Sequence, residues 1–113
     1  MPSKDEREPF YRIDVAEAKE MLQDAGVAVI DVREPHEYQA GHLPSATLIP
    51  VNSVFARREE LPKDKKIIFV CAVGQRSALA AEMAAAAGLP ADRLYNLEGG
   101  TDGWRKAGEP VET

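Results

Sequence analysis

The stretch Lys66–Cys71, KIIFVC, puts the strongest constraint on the fold. A continuous apolar run of this length suits a strand buried on both faces, which is a property of parallel sheets. The Ala-rich stretch Ser77–Ala87 follows and reads as helix, stopped by Gly88 and Pro90. A buried strand feeding a helix calls for a second parallel strand beyond it, because the helix must cross back over the sheet.

The rest of the chain repeats the alternation. Phe10–Ile13 reads as a short first strand. Asp14 is a good N-cap, with Glu17 placed to complete a capping box. Val15, Ala18, Met21, Leu22 and Ala25 follow at helical spacing, and Gly26 ends that helix. Val27–Val32, VAVIDV, is a second buried run broken only by Asp31. Pro35 opens a short helix closed by Gly41, SATLIPV (45–51) reads as a strand, and Ser53–Glu60 as a short helix. Arg93–Leu97 is the last strand, and Gly99 and Gly100 turn the chain into a short helix around Trp104. This pattern predicts an α/β fold, a parallel central sheet of about five strands flanked by helices on both faces. One domain spans residues 10–113. Residues 1–9, polar with two prolines, are expected to form a loose arm.

Charge and cysteine content narrow the function. A net charge of −5 argues against nucleic-acid binding, which needs a clustered basic face. Arg57-Arg58 and Lys63–Lys66 are the only basic clusters, and both are interrupted. No stretch approaches the ~20 apolar residues of a membrane helix. The opening MPSKDEREPFYR lacks the apolar core of a signal peptide, so the expected compartment is the cytoplasm. A single cysteine excludes an internal disulfide, a CxxC redox pair and a Cys-rich zinc site. No metal or organic cofactor is expected, and a monomer or weak homodimer is the default.

Polar side chains stand at two predicted strand ends, Asp31 with Arg33, and Cys71. Functional groups gather beyond the C-terminal ends of strands in such sheets. Cys71 could be a small residue closing a strand or a nucleophile held over a loop. The second reading has physical support. A loop curling over a helix N-terminus aims N–H groups inward, and the helix adds about half a positive charge there. Gly74 frees the backbone for such a nest, Arg76 adds a cation, and Ser77 can cap the helix and point its hydroxyl at the same site. Comparable settings lower a cysteine pKa from about 8.5 to between roughly 3.5 and 7.5.

At these residues the chain resembles the rhodanese family of sulfurtransferases. CAVGQRS (71–77) is similar to the family's active-site loop, Cys-x-x-Gly-x-Arg-Ser. VIDVREPHEYQAGHLPSATLIPV (29–51) resembles its Asp-Val-Arg … Glu-Tyr … Gly-His-Ile-Pro-Gly-Ala stretch. LEGGTDGWRKAGEPV (97–111) resembles its Gly-Gly … Trp … Ala-Gly-x-Pro-Val ending. The motifs run in the family's order across about residues 10–111.

The resemblance implies a double displacement at Cys71. The thiolate accepts a sulfane sulfur from thiosulfate or a persulfide and passes it to a thiol, a sulfur-carrier protein or cyanide. The amides of Ala72, Val73, Gly74, Gln75, Arg76 and Ser77 would stabilise the persulfide, and Arg76 would hold an anionic donor. Asp31 and Arg33 match the family's Asp-x-Arg pair, as an ion pair or a substrate contact, with Arg33 placed to meet Glu37. His42 and Trp104 read as structural, and His36 as a surface residue. Two positions depart from the family pattern. Ser45 replaces its usual glycine in a turn. Ala72 and Val73 are apolar where thiosulfate-using members often carry basic residues, which leaves the donor open. Two other readings stand beside this one: a phosphatase, whose loop would need five residues between Cys and Arg where this chain has four, and a non-catalytic binding module. Arg57 and Arg58, in the preceding segment, are candidates to lean over the site.

Overall fold

A computed structural model describes residues 2–113. The strands are β1 (Tyr11–Ile13), β2 (Val27–Asp31), β3 (Thr47–Leu48), β4 (Lys66–Val70) and β5 (Leu94–Leu97). The helices are α1 (Val15–Met21), α2 (Pro35–Gln39), α3 (Gln75–Ala86) and α4 (Gly100–Lys106). The strands form one sheet in the order β1-β5-β4-β2-β3, with every pairing parallel. The predicted α/β architecture is therefore the observed one.

Alternate residues along each strand feed two apolar cores. Ile30, Ile67, Phe69 and Leu94 pack under α3 through Ala80, Ala81 and Ala84. Val29, Ile68, Val70 and Leu97 pack on the other face with Ala18 of α1 and Trp104 of α4. Alanines on α3 let that helix lie close to the sheet, which holds its N-terminus near the end of β4.

The strand order creates a crevice. After β2 the chain passes through α2 outward to β3. After β4 it passes through α3 the other way, to β5. Loops leaving two neighbouring strands in opposite directions open a cleft over their C-terminal ends.

Several elements differ from the sequence reading. Helix α1 stops at Met21, before Ala25, because the Asp24 carboxylate captures the Gly26 N–H at 2.8 Å and turns the chain. The strand read over 45–51 shrinks to Thr47–Leu48. Ile49 and Val51 still donate to Asp31 and Val32, both at 2.9 Å, but Pro50 has no N–H to continue the ladder. The helix read over Ser53–Glu60 is instead two single 3₁₀ turns, Val51–Ser53 and Arg58–Glu60. Val51, Val54 and Leu61 must all reach the same core, and two short turns place them there. Within residues 1–9, Ser3 exchanges two backbone hydrogen bonds with Arg12 on β1.

Candidate active site

Strand β4 delivers Cys71 to the crevice, one residue past its last paired position. The side chain is buried, with only 1% of the residue exposed. Gly74 is the N-cap of α3, in the left-handed region at φ 99°. That conformation suits glycine, and it aims the Gly74 N–H at the Cys71 sulfur, 3.0 Å away. The helix begins two residues earlier than its side chains suggested. Ser77 is therefore not its cap but its third residue, facing inward with its hydroxyl 3.3 Å from the sulfur.

Burial pushes the Cys71 thiol up. The Ser77 hydroxyl and the amides of Ser77, Gly74 and Val73 pull it down by more, so it ends below the ordinary thiol value. The start of a three-turn helix adds its positive end in the same direction. Cys71 is a free thiol. Groups that would stabilise a sulfur anion are therefore already in place around Cys71.

The loop is braced from behind. Asn96 on β5 is buried, accepts the Ser77 hydroxyl proton, and donates its amide to the Gly74 carbonyl at 3.1 Å. From the chain's end, Thr101 N–H donates to the Cys71 carbonyl at 2.8 Å, and Asp102 N–H to the Ala72 carbonyl at 3.1 Å. Gly100, at φ 58°, makes this approach possible, since a Cβ there would overlap both carbonyl oxygens. The sequence left a signal for Asn96, an amide inside an otherwise apolar strand. The roles of Gly100 and Thr101 carry no local signal, because they depend on how α4 docks.

The remaining residues divide into two groups. Ala72, Val73, Gly74, Gln75, Arg76 and Ser77 wrap the sulfur, with Val73 55% exposed at the rim. Arg76 turns to α2 across the crevice. Its Nη1 and Nη2 meet Glu37 Oε1 and Oε2 at 2.8 and 3.0 Å, a two-pronged ion pair. The Arg76 hydrogen bonds hold the Glu37 carboxyl down to about 2.

The pairing of Arg33 with Glu37 is corrected. Arg33 bonds Asp31 instead, with Nη2 to Oδ2 at 2.7 Å, and donates to the Gly41 carbonyl at 2.8 Å. Residues 31 and 33 share one side of the extended chain, and Glu37 lies beyond the start of α2. Both members of this pair are buried, and their contacts fasten the end of β2 to the turn after α2. His42 stacks on Tyr38 with centroids 3.6 Å apart and bonds its carbonyl at 2.8 Å. Trp104 is buried and donates to the Pro110 carbonyl at 2.7 Å. Arg57 pairs with Glu60, and Arg58 lies over the Phe55 ring, so both are engaged within their own turn. No helix among the described residues is long and apolar enough to cross a membrane.

The chain is similar to known proteins. The model of the rhodanese-like domain family matches residues 14–107. The thiosulfate sulfurtransferase GlpE of Actinobacillus pleuropneumoniae serotype 7 is 30% identical over 94% of this chain and 96% of its own length. The protein of the same name from Pseudoalteromonas translucida is 33% identical over 91% of this chain and 97% of its own. Among solved structures, a rhodanese-related protein from Thermoplasma volcanium superposes with a TM-score of 0.80 at 34% identity, covering 89% of this chain and 96% of its own.

Proposed function

The chain belongs to the rhodanese-like domain family, and on that premise we propose that it is a sulfurtransferase working through a persulfide on Cys71. The observation that carries the reading is the setting of the sulfur. A buried thiol receives the Gly74 N–H at 3.0 Å and lies 3.3 Å from the Ser77 hydroxyl, at the mouth of a helix. Relatives named thiosulfate sulfurtransferase support the same class of chemistry.

The reaction is a double displacement, which splits one hard transfer into two easier ones. The Cys71 thiolate attacks the sulfane sulfur of the donor and a new S–S bond forms. The donor's own S–S bond breaks, and sulfite or a thiolate leaves with the electron pair. An acceptor nucleophile then attacks the outer sulfur of the persulfide, and Cys71 departs as thiolate. No net oxidation occurs within the protein. The Gly74 N–H faces the sulfur atom that carries negative charge at the start and end of the cycle, and it need not reorganise to do so.

Donor and acceptor are proposed by class: thiosulfate or a persulfide as donor, a thiol or the thiol of a sulfur-carrier protein as acceptor. The reducing cytoplasm, which keeps a lone thiol available, is the proposed compartment. A phosphatase is disfavoured because its loop arginine must face the bound anion, whereas Arg76 faces Glu37.

Intact-protein mass spectrometry tests the reading. After incubation with thiosulfate or a polysulfide, the protein gains the mass of one sulfur, and Cys71→Ser gains none. Absence of the adduct with every donor would falsify it.

A further inference from the structure

Two acidic and two basic side chains gather at and beyond the C-terminal ends of β2 and β4. Asp31 pairs with Arg33, and Glu37 with Arg76. The group is neutral as a whole before the Cys71 thiolate is counted. Asp31 and Arg33 are also buried, so the pair nearest the opening is Glu37 with Arg76, at 24% and 35% side-chain exposure.

The second pair spans the crevice. Glu37 comes from the helix after β2 and Arg76 from the helix after β4, 39 residues apart in sequence. Both guanidinium prongs are spent on one carboxylate, at 2.8 and 3.0 Å. A bidentate contact of this kind fixes direction as well as charge. Arg76 is thus held toward α2, with its charge compensated by Glu37. The neighbouring loop positions supply no replacement, because Ala72 and Val73 are apolar.

We propose that Glu37 sets donor specificity by clamping Arg76, so that the site favours alkyl persulfides of low charge over the thiosulfate dianion. This rests on the sulfurtransferase reading above. A persulfide R–S–SH asks little of a cation. Its sulfane sulfur bonds to Cys71, its S–S bond breaks, and RS⁻ leaves while the proton stays on the new persulfide. The exposed Val73 offers the R group an apolar contact at the rim. Thiosulfate brings two negative charges to a thiolate in a site whose cation is already paired. Glu37 touches neither sulfur nor donor in this scheme and acts as a positioning residue.

The test is the single-turnover rate of sulfur loading on Cys71, followed by intact mass, with sodium thiosulfate and with tert-butyl persulfide. In native protein the persulfide loads faster. Glu37→Gln keeps an oxygen to accept the Glu34 N–H, a bond of 3.0 Å that starts α2, while removing the charge that holds Arg76. It raises the thiosulfate-to-persulfide rate ratio by about five- to tenfold, the size of one charge interaction near a protein surface. The gain is at least severalfold smaller when Arg76→Gln is also present, because Glu37 works through Arg76. If Glu37→Gln does not fold, Glu37→Asp carries the same test, since the shorter chain keeps its charge but cannot span both prongs. A ratio unmoved in a variant that loads normally overturns the Glu37 proposal alone, as does an equal gain with and without Arg76. Failure of the native protein to load with either donor overturns the sulfurtransferase reading instead.

Discussion

The Ser77 hydroxyl lies 3.3 Å from the Cys71 sulfur and gives its proton to Asn96 on the other side. A hydroxyl has one proton to give. With the thiol neutral, the chain is complete: S–H donates to Ser77, and Ser77 to Asn96. When the sulfur ionises, both neighbours of Ser77 compete for that proton. Ser77→Ala removes the competition and the donor together. The thiol pKa rises and alkylation by iodoacetamide at pH 7 slows about tenfold, the scale of losing one hydrogen bond to a charged group. In a pH series, the native rate reaches its plateau at lower pH than the Ser77→Ala rate. Coincident profiles would remove Ser77 from the activation of Cys71.

Gly100→Ala tests the brace behind the loop. Its Cβ would overlap the Cys71 and Ala72 carbonyl oxygens, and the backbone is in the left-handed region. Backbone atoms cannot step aside as a flexible side chain can. The expected loss is at least about 3 kcal/mol in urea unfolding, with slower Cys71 alkylation in the fraction that folds.

Ser45 gives a prediction of the opposite sign. It is the one non-glycine at positive φ among the described residues, at 64°. Its N–H donates to Glu112 Oε1 at 3.0 Å, a backbone contact that glycine would retain. Ser45→Gly relieves the left-handed strain while adding freedom to the unfolded chain. The net gain is about 0.5–1 kcal/mol, read as a higher urea midpoint with unchanged slope.

The Glu37–Arg76 pair imposes a pH signature on stability. Arg76 holds the folded-state Glu37 carboxyl down to about 2, below its unfolded value of about 4.3. A carboxylate depressed by folding stabilises fully above its unfolded pKa and loses that contribution as pH falls through the folded one. The stability gap between native protein and Glu37→Gln is therefore constant near neutrality and closes between about pH 5 and pH 2. Urea melts at stepped pH measure it. A gap that stays constant across that range would mean the pair contributes nothing through charge.

Much of this was legible where local chemistry decides the outcome. The apolar run ending at Cys71 specified β4, and Asp14 with Glu17 formed the capping box that starts α1, with bonds of 2.8 and 2.9 Å. The thiol's position at a strand end over a Gly-containing loop was readable for the same reason. What escaped the sequence depends on contacts made at long range. Ser77 looked like a cap because serine favours that place, yet Gly74 takes it so that its N–H can reach the sulfur. Arg33 and Glu37 stand four apart, the spacing of a helical pair, but Arg33 belongs to the extended chain before α2 and finds Asp31. Its supposed partner is taken by an arginine 39 residues away, which only the crossing of α2 and α3 over one crevice could bring near.

The bonds from Thr101 and Asp102 to the Cys71 and Ala72 carbonyls give the molecule an order of failure. Helix α4 has only seven residues, and the segment after it is tied back by Glu112 pairing with His42 and by Pro110 accepting from Trp104. Short elements outside the sheet open more readily than a central sheet. Heat or a protease that lifts residues 100–113 takes the rear support from the loop while β2, β4 and β5 remain paired. The geometry around the Cys71 sulfur is then lost below the melting temperature of the sheet. Exchange of the Thr101 and Asp102 amides with deuterium would report that loss before circular dichroism registers any change.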